Sequence, residues 1–110
     1  MKRTLLIKHV TGRLLLDAVQ SGCSFALKPE GDGWKVEIAG VAPETLGTIR
    51  TLADELNVFY FEQDEPDGPV RKWWLYDKQT PVCESDDAAG ELSLRLDSRV
   101  GYSNDHVSRS

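Results

Sequence analysis

Thr11-Gly12-Arg13-Leu14-Leu15-Leu16-Asp17-Ala18-Val19-Gln20-Ser21-Gly22 is the stretch on which the fold turns. Leu15, Ala18 and Val19 fall at i, i+3 and i+4, the spacing of one helix face, with Leu14 and Leu16 beside them. The Thr11 hydroxyl is placed to accept a free backbone N–H of a first helical turn. Gly22 suits the left-handed residue that closes a helix. A helix this short needs tertiary support, but its leucine-rich composition favours it. The stretch is read as a helix, and the element order follows from that reading.

On its N-terminal side, Arg3 to Val10 alternates as a strand, with Leu5, Ile7 and His9 on one face and Leu6, Lys8 and Val10 on the other. On its C-terminal side, Cys23–Lys28 and Trp34–Ile38 read as a hairpin. Pro29-Glu30-Gly31-Asp32-Gly33 between them supplies glycines for a tight reversal. A second helix begins at Pro43, where a missing N–H costs nothing. Leu46, Ile49, Leu52, Ala53 and Leu56 trace its apolar face, and Asn57 is the expected terminator. Val58–Glu62 and Val70–Tyr76 are rich in β-formers and are joined by the turn Asp64-Glu65-Pro66-Asp67-Gly68-Pro69. Residues 77–90 read as a loop, and Leu92, Leu94 and Leu96 alternate as a final amphipathic strand. The order β-α-β-β-α-β, with one or two further C-terminal strands, is that of an α+β ferredoxin-like sandwich with two helices on one face of an antiparallel sheet. Residues 1–97 are expected to form this single domain, and 98–110 a frayed polar tail.

The chain has 110 residues, of which 40% are apolar and 28% charged, enough for one core and too few for two. The apolar run Leu5-Leu6-Ile7 is broken by Lys8 and no small-residue cleavage site follows, so the segment reads as a strand of a mature, soluble, cytoplasmic protein. Cys23 and Cys83 make no disulfide framework and no metal-ligand pair, and are expected as reduced thiols; an exported chain would leave room for one long-range bridge.

Charge is unevenly placed. Residues 1–61 are neutral, residues 62–97 carry a net of −6, and residues 98–110 a net of +1. Two acidic clusters account for the excess. The first is the turn with Glu62, Asp64, Glu65 and Asp67; the second holds Glu84, Asp86 and Asp87, with Glu91 near. The first lacks the spacing of a twelve-residue calcium loop and its closing glutamate, so a solvated turn or a site for a basic partner is favoured over a metal. Between the clusters lies the aromatic strand with Trp73, Trp74 and Tyr76. Alternation sends Phe59, Phe61 and one tryptophan to one face, and Tyr60, the other tryptophan and Tyr76 elsewhere, leaving a patch of the kind that marks interfaces. A stacking platform for RNA needs a basic surround, and Lys8, Lys35, Arg71 and Lys72 are scattered in sequence, so no direct nucleic-acid binding is expected.

Catalytic signals are weak. His9 ends a strand, His106 lies in the polar tail, and Ser21-Gly22-Cys23-Ser24 is no nucleophile elbow. Gly31-x-Gly33 is a turn rather than a phosphate cradle, because no helix starts after it. The expected function is a non-catalytic protein-binding module without cofactor or metal. It would use Glu62, Asp64, Glu65, Asp67, Trp73, Trp74, Tyr76, Glu84, Asp86 and Asp87 against a protein partner with a basic surface. A small acidic inhibitor of a nucleic-acid-handling partner, of the anti-defence or immunity type carried by a phage or mobile element, fits the size and charge. The alternative is a small-ligand sensor acting as a sheet-paired dimer, with Cys23–Phe25 and Gly40–Pro43 as its loops. A third is a nucleic-acid-binding or enzymatic domain with a composite site. A homodimer is compatible with each.

Overall fold

Ile7 and Leu16 settle how the chain begins. In the computed structural model, which describes residues 2–78 and 81–102, β1 (Lys2–His9) and β2 (Leu14–Asp17) form an antiparallel hairpin with Ile7 opposite Leu16 and Leu6 opposite Asp17. The helix expected over Thr11–Gly22 is therefore replaced by a strand and turns. Leu16 and Ala18 are buried, two residues apart as in a strand, while Val19 is 48% exposed. The Ala18 N–H donates to the Leu5 carbonyl at 3.0 Å, so β1 supplies the partner that a helix would have supplied internally. Pairing to a neighbour outweighs the weak helix preference of leucine. Gly22 does adopt a left-handed φ, +73°, but it closes the turn before Cys23 instead of a helix.

β3 (Ser24–Glu30) and β4 (Gly33–Ala39) form the expected hairpin, with Glu30 opposite Gly33 and a two-residue reversal at Gly31-Asp32. Gly31 takes φ +56° at the first position of that reversal, where the right-handed strand twist calls for a glycine. The expected second helix is α1 (Pro43–Thr51), with Pro43 in its first turn, followed by one 3₁₀ turn over Ala53–Glu55. It stops earlier than expected. Leu56 and Asn57 begin β5 (Leu56–Gln63), which pairs with β6 (Val70–Tyr76). Part of the expected loop 77–90 forms β7 (Val82–Asp86), and the alternating leucines form β8 (Glu91–Leu96). Of the expected frayed tail, Ser98–Tyr102 pairs with β6 as β9; residues 103–110, with His106, lie outside the described residues.

All ladders are antiparallel and they form two sheets, one ordered β2-β1-β5-β6-β9 and the other β3-β4-β8-β7. Among the described residues there is one α-helix. The protein is a mainly β, two-sheet fold and not an α+β ferredoxin-like sandwich. The reason is coverage: with one nine-residue helix in place of two, the apolar faces of the strands are buried chiefly by packing one sheet on the other.

The inner faces of the two sheets share one core. Leu5, Ile7, Leu16, Val58, Tyr60 and Leu75 come from the five-stranded sheet, and Val36, Ile38, Leu92, Leu94 and Leu96 from the four-stranded one. α1 adds Leu46 and Ile49, both fully buried. The helix touches β2 on one side, and its Arg50 donates to Ser85 Oγ at 2.8 Å and pairs with Asp87 on the other. It thus covers the open side between the β2 edge and the β7 edge. A second link is the corner at Asp97, the single residue between β8 in one sheet and β9 in the other. Asp97 Oδ1 accepts the Lys78 N–H at 3.2 Å and the Ser98 hydroxyl at 2.8 Å, which holds the corner in place. Just beyond it, the Arg99 guanidinium lies 3.8 Å from the Trp34 ring centre in one sheet and 5.2 Å from that of Trp73 in the other. Each contact is a cation–π attraction, so this one side chain clasps the sheets together.

Candidate binding surfaces

With the helix at one side of the sandwich, both sheets turn an outer face to solvent. On the four-stranded sheet, register places Ala26, Glu37, Ser93 and Glu84 in one row across four strands, and Ser24, Ala39, Glu91 and Asp86 in the next. Serines and alanines hold side-chain height low in the middle, and the acids stand around them. The result is a trough of about 530 Å³. Lys28 at its border bonds Glu37 at 2.9 Å, and that contact holds the Glu37 carboxyl below its usual range. Asp86 accepts the Ala88 and Ala89 N–H groups at 3.0 and 3.2 Å and so shapes the β7–β8 turn. Glu84 and Glu91 are exposed and form no ion pair among the described residues.

The structure separates the residues singled out in the sequence. Glu62, Asp64, Glu65 and Asp67 sit at the β5–β6 turn of the five-stranded sheet, while Glu84 and Asp86 lie on the other sheet. Arg71 meets Asp64 at 3.2 Å and Glu62 at 3.6 Å, so half of the first cluster is already partnered. Glu62 also accepts the Tyr60 hydroxyl at 3.2 Å. Asp87 is held by Arg50. The trough residues Ser24, Glu37 and Ser93 were missed. Alternation along β4 does send Glu37 outward, but nothing in the sequence says which strand lies beside it.

The aromatics divide between the two sides of the five-stranded sheet. Tyr60 and Trp73 face the core, with ring centres 5.9 Å apart, and Phe25 meets Tyr60 edge-on from the other sheet at 6.4 Å. Burial raises the Tyr60 phenol above its usual range, and the nearby Glu62 charge adds to this. Phe59, Phe61, Trp74 and Tyr76 point outward. Tyr76 thus shares the face of Phe59 and Phe61 and not, as expected, that of Tyr60, because it lies two residues after Trp74 on one strand. Trp74 is 36% exposed, its ring lies 4.4 Å from that of Tyr76, and its Nε1–H donates to Asn57 Oδ1 at 2.9 Å.

Among the described residues, His9 and Cys23 are engaged within the chain. Both ring nitrogens of His9 are engaged, Nδ1 with the Thr11 hydroxyl at 2.8 Å and Nε2 with Glu55 at 2.5 Å. Cys23 and Cys83 are free thiols whose ionisation burial makes harder, and Cys23 Sγ donates to the Gly40 carbonyl at 3.4 Å. That contact closes Cys23 against Gly40 between the two loops considered for a small ligand. Among the described residues no group of three or more His, Cys, Asp or Glu side chains is placed to hold a metal, and no helix is long and apolar enough to cross a membrane. Comparison with known protein families, curated proteins and solved structures finds no match.

Proposed function

We propose that the protein is a non-catalytic binding module whose acidic trough takes a lysine- or arginine-bearing segment of a protein partner. The observation that carries this reading is the convergence of Glu37, Glu84, Asp86 and Glu91 from three strands around a floor of small side chains. The aliphatic stem of a lysine or arginine fits over alanine and serine while its head reaches a carboxylate. Among the described residues Glu84 and Glu91 form no ion pair, so their charge is open to a partner. Opposed charge of this kind sets partner choice and encounter rate more than raw affinity. Occlusion of a basic, nucleic-acid-handling surface is the form of the function that the acidity suits.

Parallel pull-downs from nuclease-treated lysate with the wild type and with Glu84→Lys/Glu91→Lys test it. Asp86 is left in place because it caps a turn. A stoichiometric partner with a basic surface is expected on the wild type, weakened at least about tenfold on the variant. Equal retention by a folded variant would falsify the trough as the site.

A further inference from the structure

The outer face of the five-stranded sheet has a different chemistry from the trough. Register sets Leu6, Phe59, Trp74 and Val100 in one straight row across β1, β5, β6 and β9. The row beside it begins Thr4, Phe61, Lys72, and on the other side Lys8 stands opposite Asn57 and Tyr76 opposite Ser98. Lys2 stands opposite Gln63 at the end of the face, and a hollow of about 290 Å³ lies among Lys2, Thr4, Phe61, Val70 and Lys72. Three lysines thus share a face whose outward carboxylate, Asp17, lies on the edge strand. Glu62 borders the hollow, but Arg71 stands beside it at 3.6 Å. The cations that look scattered in the sequence are sorted by the fold. Lys8 and Lys72 come together with Lys2, Lys35 goes to the other sheet, and Arg71 serves the acidic turn.

We propose that this face binds single-stranded nucleic acid, its aromatic rings stacking bases while Lys2, Lys8 and Lys72 meet phosphates. Every base has a π-face, so stacking on rings of neighbouring strands needs no sequence preference, and an antiparallel sheet offers room for two or three bases. Trp74 is prepared for this. Tyr76 supports its ring and the bond to Asn57 fixes its orientation, so little freedom is lost on binding. Lys8 sits 5.5 Å from the Phe59 ring centre, which puts a cation beside a ring as alternating base and phosphate require. A second copy is a poorer occupant, since a symmetric pairing sets these lysines against each other. The outer face of the four-stranded sheet also carries cations, Lys28, Lys35 and Arg95 in one row, but Lys28 is paired with Glu37 and Arg95 with Glu30.

The test is fluorescence anisotropy of labelled twelve-nucleotide oligomers of deoxythymidine and of uridine, titrated with the full chain at low and moderate salt. Binding in the micromolar range is expected for both, weakening with salt along a log–log slope of about −2 for three phosphates neutralised. Trp74→Ala is expected to weaken it about tenfold, with Trp74→Phe retaining most of it. Lys72→Gln is expected to lower the slope by about 0.7. Lys35→Gln, on the other sheet, should leave both unchanged. Circular dichroism and melting of each variant separate lost binding from lost folding. No anisotropy change at low salt, or binding that Trp74→Ala and Lys72→Gln leave as it was, overturns the proposal. So does a dimer that Trp74→Ala dissolves, because the face then belongs to a second copy.

Discussion

The row Leu6-Phe59-Trp74-Val100 on one sheet has a counterpart in the row Ala26-Glu37-Ser93-Glu84 on the other. Both face away from the shared core and both cross four strands, yet one is large and apolar and the other small and acidic. Solvent alone asks only for polar groups on an outer face, and the four-stranded sheet meets that demand. Half-buried phenylalanines and an exposed tryptophan on the five-stranded sheet go beyond it. The difference teaches that the inner faces account for the fold, and that the excess on the outer faces is where binding is to be sought.

If the core is common to both sheets, truncating either side must cost about the same. Leu75 and Leu94 are both fully buried, one from each sheet. Leu75→Ala and Leu94→Ala are each expected to lower stability by about 3 kcal/mol in denaturant unfolding. A cost below about 1 kcal/mol for one of them would mean that its sheet contributes little to a joint core. A more local contrast lies at Gly33, where an added Cβ would stand 2.5 Å from the Leu96 carbonyl oxygen. The backbones of β4 and β8 must separate to admit it, so Gly33→Ala is expected to cost about 2 kcal/mol, more than removal of the exposed Trp74 ring. The reverse ranking would place structural weight on the outer face.

The smallest effect concerns pH. The Tyr60 phenol is raised in the folded state, so its contribution is complete below the ordinary tyrosine pKa of about 10 and is lost as pH rises through the folded value. Absorbance titration is expected to show one of three tyrosines ionising late, with stability falling over the same interval. Tyr60→Phe should remove both features. An unchanged late component would assign it to a tyrosine on the other side of the sheet.

Much of the fold was legible where local chemistry and pairing agree. The Gly31 reversal marks its hairpin, Pro43 with Leu46 and Ile49 marks the helix, and the alternating leucines mark β8. The first helix was misread because a four-residue strand is too short to separate a period of two from one of 3.6. Leu14-Leu15-Leu16 satisfies both, and only the presence of β1 decides. β7 carries a single apolar inward residue, Cys83, so it had no hydrophobic signal; β8 provides its reason to be a strand. The candidate sites were less legible still. Glu84 and Asp86 were visible as acids, whereas their meeting with Glu37 depends on strand neighbours separated by some fifty residues in the chain. The lysines around Trp74 were set aside for the same reason.

The corner at Asp97 bears on how the molecule breathes. One unbroken run of chain serves as an interior strand of one sheet and the last strand of the other, and Arg99 ties that run to a tryptophan in each. Opening β9 pulls on β8, and loosening β8 releases the clasp. Local unfolding in β proteins usually proceeds by whole supersecondary units. Here the natural unit straddles both layers, so amide protons of β8 and those of β6 that bond to β9 are protected by a shared opening event, rather than by two independent ones.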